Sequence, residues 1–188
     1  MMSGRIAPRR FGLSCAAALA VALVLAPGLA YAKSPLAGCD AFLANLRKYA
    51  SDLQIDYSHS VVVSRVKTNL DVFEVTTNSD VDGTLTCRGD ELQRFEARVG
   101  QPATAHALSA FERLQNETLR AALGWDAGKA TAKLGEMGQD AREYFAASKE
   151  RGDAYIAGKT EEHLPGGVGL GLIYTETDRA LIIVGPNG

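Results

Sequence analysis

Few side chains in this sequence are of the kinds that carry chemistry, and fewer stand close together. There are three histidines, His59, His106 and His163. No two have the spacing of a metal-ligand pair, so a zinc centre would have to be assembled wholly by the fold. Neither a metal nor a cofactor is expected. The nearest approach to an acid–base constellation is Glu161-Glu162-His163, since a carboxylate beside an imidazole can tune its proton affinity toward neutrality. The trio sits where a loop is expected, and a solvated charged loop is its plainer reading. A Gly-x-Ser-x-Gly nucleophile elbow is missing. His59 shares the phase of Ile55, Val61 and Val63 and is expected in the core, whereas His106 is expected exposed at a helix start.

Two further features invite a binding role. Pro165-Gly166-Gly167-Val168-Gly169-Leu170-Gly171 resembles a phosphate loop only superficially. A dinucleotide loop needs glycines at i, i+2 and i+5 between a strand and a helix, and here a strand follows; a Walker loop needs Gly-Lys-Ser/Thr. Its glycines, Gly166, Gly167 and Gly169 among them, fit a turn or a strand that another backbone or a ligand approaches closely. Trp125 lies between two expected helices, either plugging their hinge or anchoring a partner.

The elements that must position these residues follow from periodicity. Residues 33–36 read as a loose tail. From Asp40, Phe42, Leu43, Leu46, Tyr49 and Ala50 recur at helical steps. Alternation then predicts strands over 55–63, 81–88 and 94–99, with Asn69 near a turn and further turns at Asn78-Ser79-Asp80, Asp82-Gly83 and Gly89-Asp90. Leu108, Phe111, Leu114, Thr118, Ala122 and Leu123 make a second helix ending at Gly124. Asp126 caps a third that carries Leu134, Met137, Ala141, Tyr144 and Phe145 and stops at Gly152. Strands return over 154–158, 170–175 and 181–184. The order predicts a single α+β domain, an antiparallel β-meander sheet packed against helices.

The N-terminus reads as an address. Arg5, Arg9 and Arg10 precede an uncharged run from Phe11 to Ala26. Pro27 and Gly28 break it, and Ala30-Tyr31-Ala32 offers small residues at a cleavage site. Residues 1–32 are therefore expected to be a signal peptide, because the run falls short of the ~20 apolar residues a membrane span needs. The general secretory route is favoured over the twin-arginine route that Arg9-Arg10 would allow. Cleavage would remove Cys15 and leave 33–188 as the domain, periplasmic or secreted, with no stable membrane anchor. That segment holds two cysteines, Cys39 and Cys87, which an oxidising compartment would join in one disulfide worth roughly 4 kcal/mol on the chain-entropy model.

Seventeen basic against twenty-two acidic side chains give the segment a net charge of −5. Such a surface repels phosphate backbones, so nucleic acid is not expected as a partner. A protein or a small apolar ligand of the cell envelope is. With no reactive constellation, the leading expectation is a non-enzymatic binding or accessory domain. A small acid–base hydrolase using Glu161, Glu162 and His163 and a structural envelope protein are the alternatives.

Overall fold

The computed structural model describes residues 36–63 and 69–188 of the chain. The expected signal peptide, Cys15 and the tail through Pro35 lie outside the described residues, as do the side chains of 61–69, Val61 and Val63 included. The elements run α1 (Cys39–Tyr49), a 3-10 turn (Ser51–Leu53), β1 (Asp56–Val63), β2 (Asn69–Thr76), β3 (Val81–Arg88) and β4 (Glu91–Gly100). They continue through α2 (Ala105–Leu123), α3 (Ala127–Arg151), β5 (Ala157–Leu164), β6 (Val168–Thr175) and β7 (Asp178–Val184). All strands join one seven-stranded antiparallel sheet in the order β1-β2-β3-β4-β7-β6-β5.

Two meanders thus meet where β4 pairs with β7, with Phe95 opposite Ile183 and Ala97 opposite Leu181. One cross-strand row reads His59, Phe73, Leu85, Phe95, Ile183, Leu170 and Glu162 from edge to edge. Its central residues Leu85, Phe95, Ile183 and Leu170 are buried. The helices cover this side. Phe42, Leu43 and Leu46 of α1 are buried there, and the Phe42 and Phe95 rings lie 5.0 Å apart. From α2 come Phe111 and Leu114, and from α3 Ala130, Met137 and Ala141. Helix α3 crosses β5 so closely that a Cβ on Gly158 would strike the Ala141 carbonyl.

Local signals place the ends of α2 and α3, with Asp126, Gly124 and Gly152 in the roles expected of them and Thr104 as the further cap. Thr104 accepts from Ala107 N at 3.1 Å, Asp126 accepts from Lys129 N at 2.8 Å, and α2 and α3 stop at Gly124 and Gly152. Helix α1 is capped instead from a distance. Its Cys39 and Asp40 amides donate to the backbone and side-chain oxygens of Asp90 in the β3–β4 turn, at 3.0 and 3.1 Å.

Several expectations need correction. Strand β2, opened by Asn69 next to the β1–β2 connection, is not among the expected strands, because apolar residues occupy both phases of 70–75 and hide the alternation. Asp82-Gly83 lies inside β3; a Cβ on Gly83 would come within 2.9 Å of the Glu96 carbonyl, so close cross-strand contact, not a turn, explains that glycine. The strand expected over 154–158 is β5, at 157–164. His59 is not in the core: β1 is the outermost strand, so its ring has a neighbouring strand on one side only. That ring is half exposed, stacks on Phe73 at 4.8 Å and meets Asp71 Oδ1 at 2.8 Å through Nε2. Tyr144, expected on the inner face of α3, is 60% exposed.

Cys39 and Cys87 form a disulfide, buried at the start of α1 and the end of β3 and closing a separation of 48 residues. The Cys39→Ala/Cys87→Ala variant should lose about 2–4 kcal/mol of unfolding free energy in urea titrations. An unchanged midpoint would show that the covalent link adds nothing to the docking of α1.

Candidate functional site

The helices cover one side of the sheet; strand alternation sends every second side chain to the other. On that uncovered side a row runs Glu74, Thr84, Glu96, Ile182, Gly171 and Glu161, and the next runs Val72, Thr86, Arg94, Val184, Gly169 and His163. Read across the strands, the chemistry changes in bands. Strand β4 presents Arg94, Glu96 and Arg98; β7 and β6 present Ile182, Val184 and Ile173 with Gly169 and Gly171; β5 presents Lys159, Glu161 and His163. The middle band is therefore a trough of about 550 Å³ with a half-buried aliphatic floor, bounded by Arg94 on the β4 side and by Lys159, Glu161 and His163 on the β5 side, while Glu96 and Arg98 line an adjoining hollow over β2–β4.

The two glycines of the floor differ from Gly83 and Gly158, where a neighbouring backbone excludes a side chain. A Cβ on Gly169 would lie 3.6 Å from the Val184 Cβ, and one on Gly171 3.8 Å from Glu161 and Ile182. Both are ordinary contact distances, so nothing inside the molecule excludes a side chain at either position. A strand-interior glycine costs roughly 0.5–1 kcal/mol relative to alanine. That cost has no internal packing reason at 169 or 171, in contrast to Gly83 and Gly158.

The β4 wall is rigid. Glu96 is held between Arg94, at 2.6 Å, and Arg98, and its own side chain is 16% exposed. Burial alone would raise the Glu96 pKa; the hydrogen bonds and charges of Arg94 and Arg98 outweigh it and hold the carboxyl below its ordinary value. The opposite wall is looser. Lys159 and Glu161 pair at 2.6 Å with both side chains more than half exposed.

The acid–base trio is split by the strand that carries it. Glu161-Glu162-His163 is part of β5 and not a loop, because Lys159–Leu164 pairs residue by residue with β6. Alternation puts Glu161 and His163 on the trough side. Glu162 points to α3, where Lys133 Nζ lies 2.8 Å away and its pKa is raised by Glu162 first and Glu136 second. His163 is exposed, and among the described residues no side chain hydrogen-bonds its ring.

Among the glycine candidates, Gly166 and Gly167 form the β5–β6 turn with φ of 83° and 79°, whereas Gly169 faces the trough. Gly171, Arg94, Ile173, Ile182 and Val184 join Gly169 only through strand pairing, which no local pattern reveals. Trp125 is half-buried against the core between α2 and α3, with Lys129 Nζ 4.4 Å over its ring. His106 is exposed as expected; its Nε2 lies 3.0 Å from Ser79 Oγ, tying the β2–β3 turn to the start of α2.

Among the described residues no three His, Cys, Asp or Glu side chains come together as metal ligands, and no helix is long and apolar enough to cross a membrane. Comparison with protein-family models, curated protein sequences and solved structures gave no match.

A carboxylate whose folded pKa is depressed stabilises the fold above its unfolded pKa, and that stability is lost as pH falls through the folded value. Glu96 should therefore contribute fully above about pH 4.3 and progressively less below it. Glu96→Gln should flatten the acid limb of the stability curve, measured by urea unfolding across pH. An unaltered limb would mean that the arginines do not hold the carboxylate in solution.

Proposed function

We propose that this protein is an exported binding or accessory domain whose binding surface is the trough on the uncovered face of the sheet. The occupant is an amphipathic helix of a partner protein. The observation that carries this reading is the pair of floor glycines, Gly169 and Gly171, which keep space open that no internal contact requires. Export rests on the N-terminal charge and hydropathy pattern, and the buried Cys39–Cys87 disulfide suits an oxidising compartment.

Width selects the occupant. From β5 to β4 there are three strand spacings, about 14 Å. A helix with its side chains is about 10–12 Å across, so it can rest on Ile173, Ile182 and Val184 while touching both walls. A single alkyl chain would touch the floor and neither wall. Glu161 is paired with Lys159 and Glu162 with Lys133 of α3, while Arg94 stands on one wall and Lys159 with His163 on the other. A helix with acidic flanks complements them.

A synthetic helical peptide with a leucine stripe and glutamate flanks should bind saturably, followed by fluorescence anisotropy. Ile182→Asp should weaken it at least about tenfold, equivalent to about 1.4 kcal/mol. Gly169→Val should do the same while leaving the melting temperature equal or higher. Binding that survives Gly169→Val, or a trough that takes dodecanoate and not the peptide, would overturn the helix reading. Export has its own check: N-terminal sequencing of the protein from the extracytoplasmic fraction should begin at Lys33, and retention in the cytoplasm with residues 1–32 intact would overturn it.

A further inference from the structure

On the opposite side of the sheet, α2 and α3 leave a second cleft between them, about 560 Å³ in volume. Four donors around it have no acceptor among the described residues: Gln115 Nε2, Arg120 Nε, the Arg142 guanidinium and the Tyr174 hydroxyl. Gln115 of α2 is 5% exposed, lines the cleft, and its Nε2 has no hydrogen-bond partner. Leaving a buried amide donor unsatisfied costs on the order of 1–3 kcal/mol. Arg142 of α3 is exposed and forms no ion pair among the described residues. The Tyr174 hydroxyl of β6 likewise has no protein partner among them. It reaches the cleft beneath Gly138, where a Cβ would lie 3.3 Å from that hydroxyl and 3.4 Å from Arg142 Nη1. The glycine thus lets a phenol and a guanidinium converge on one spot.

The acids nearby do not cancel this donor set. Glu117 is buried, and its two oxygens are taken by Arg113 at 3.0 Å and Arg120 at 2.6 Å. Glu112 is exposed on the rim. Counting Arg113, Arg120 and Arg142 against Glu112 and Glu117, the cleft carries one excess positive charge. Its apolar part is Leu134 and the Tyr174 ring, beside Gly135, whose Cβ position has nothing within 4 Å. Gly135 sits inside a helix, where glycine costs about 1 kcal/mol relative to alanine, and it leaves a notch in the cleft wall.

We infer that the α2–α3 cleft is a binding site for a small carboxylate with a compact apolar body. Arg142 forks onto the carboxylate, Tyr174 and Gln115 donate to it, and the body lies against Leu134 in the notch at Gly135. An amide rotation suffices to aim Gln115 Nε2 at the ligand. Charge-assisted and bidentate bonds from a guanidinium are the strong ones in such a site, and lysine cannot reproduce the fork. This site is separate from the trough and stands whether or not a helix binds there.

Benzoate is the probe, titrated into the 33–188 protein by calorimetry and by NMR, with 4-methylpentanoate as its aliphatic counterpart. At least one of the two should bind saturably and perturb the amides of α2, α3 and β6. Arg142→Ala, which breaks no ion pair, should weaken binding at least tenfold, and Arg142→Lys should recover only part of it. Gln115→Leu removes the unsatisfied donor and Gly135→Leu fills the notch; both should abolish binding while raising the melting temperature or leaving it unchanged. A merely structural role for these residues would not separate binding from stability in that way. Failure of both carboxylates to saturate, or an affinity unchanged in Arg142→Ala, would overturn the proposal.

Discussion

The pairing of β4 with β7 is the constraint on which the other elements depend. Strands β1–β4 and β5–β7 are each local meanders of strands adjacent in sequence, which need little chain closure. Merging them into one sheet requires β7 to align with β4 across the whole of α2 and α3, with Phe95 meeting Ile183 and Ala97 meeting Leu181. That long closure is entropically unfavourable until the pairing is made, and burial of the aromatic and aliphatic row it completes must offset it. Once β4 and β7 are joined, α2 and α3 have no course except back over the sheet. The single dry side, the packing of α3 on β5 at Gly158 and the cleft beside Tyr174 then follow.

The same pairing creates the uncovered side. Three helices dress one face of seven strands, and antiparallel sheets tolerate a wet second face when its side chains are polar. Most of that face obeys the rule: threonines on β3 and an arginine–glutamate–arginine ladder on β4. Val72 of β2 is a lone exception beside Thr86; the larger departure is on β6 and β7, where Ile173, Ile182 and Val184 lie beside glycines that internal packing does not require. Aliphatic side chains and absent side chains are both unfavourable on a solvated strand, so their concentration between charged walls marks the part of the face suited to being covered.

Much of the architecture could be read along the chain because it depends on local rules. Asp126, Gly124 and Gly152 mark helix ends through capping chemistry that is complete within a few residues. Val81, Leu85 and Cys87 against Phe95, Ala97 and Val99 show strict alternation and lie on the buried face. The failures share a cause. Asp82-Gly83 looks like a turn because the residue that demands glycine there, Glu96, is on another strand. His59 carries the inward phase of β1 but lies on the outermost strand, where phase no longer implies burial. Glu161, Glu162 and His163 look like one cluster until β-pairing sends the middle residue to the opposite face.

The α+β class, the ends of α2 and α3 and the cysteine pair could be read along the chain, since each depends on composition or on neighbours a few residues away. The candidate sites were decided by tertiary structure alone. Gly169 meets Val184, and Glu96 meets Ile182, only in the register of β4, β7 and β6. Gln115, Arg142 and Tyr174 surround one cleft only because α2 and α3 lie across β6. Periodicity tells which way a side chain faces within its own element; which chemistry it faces depends on the strand or helix brought against it.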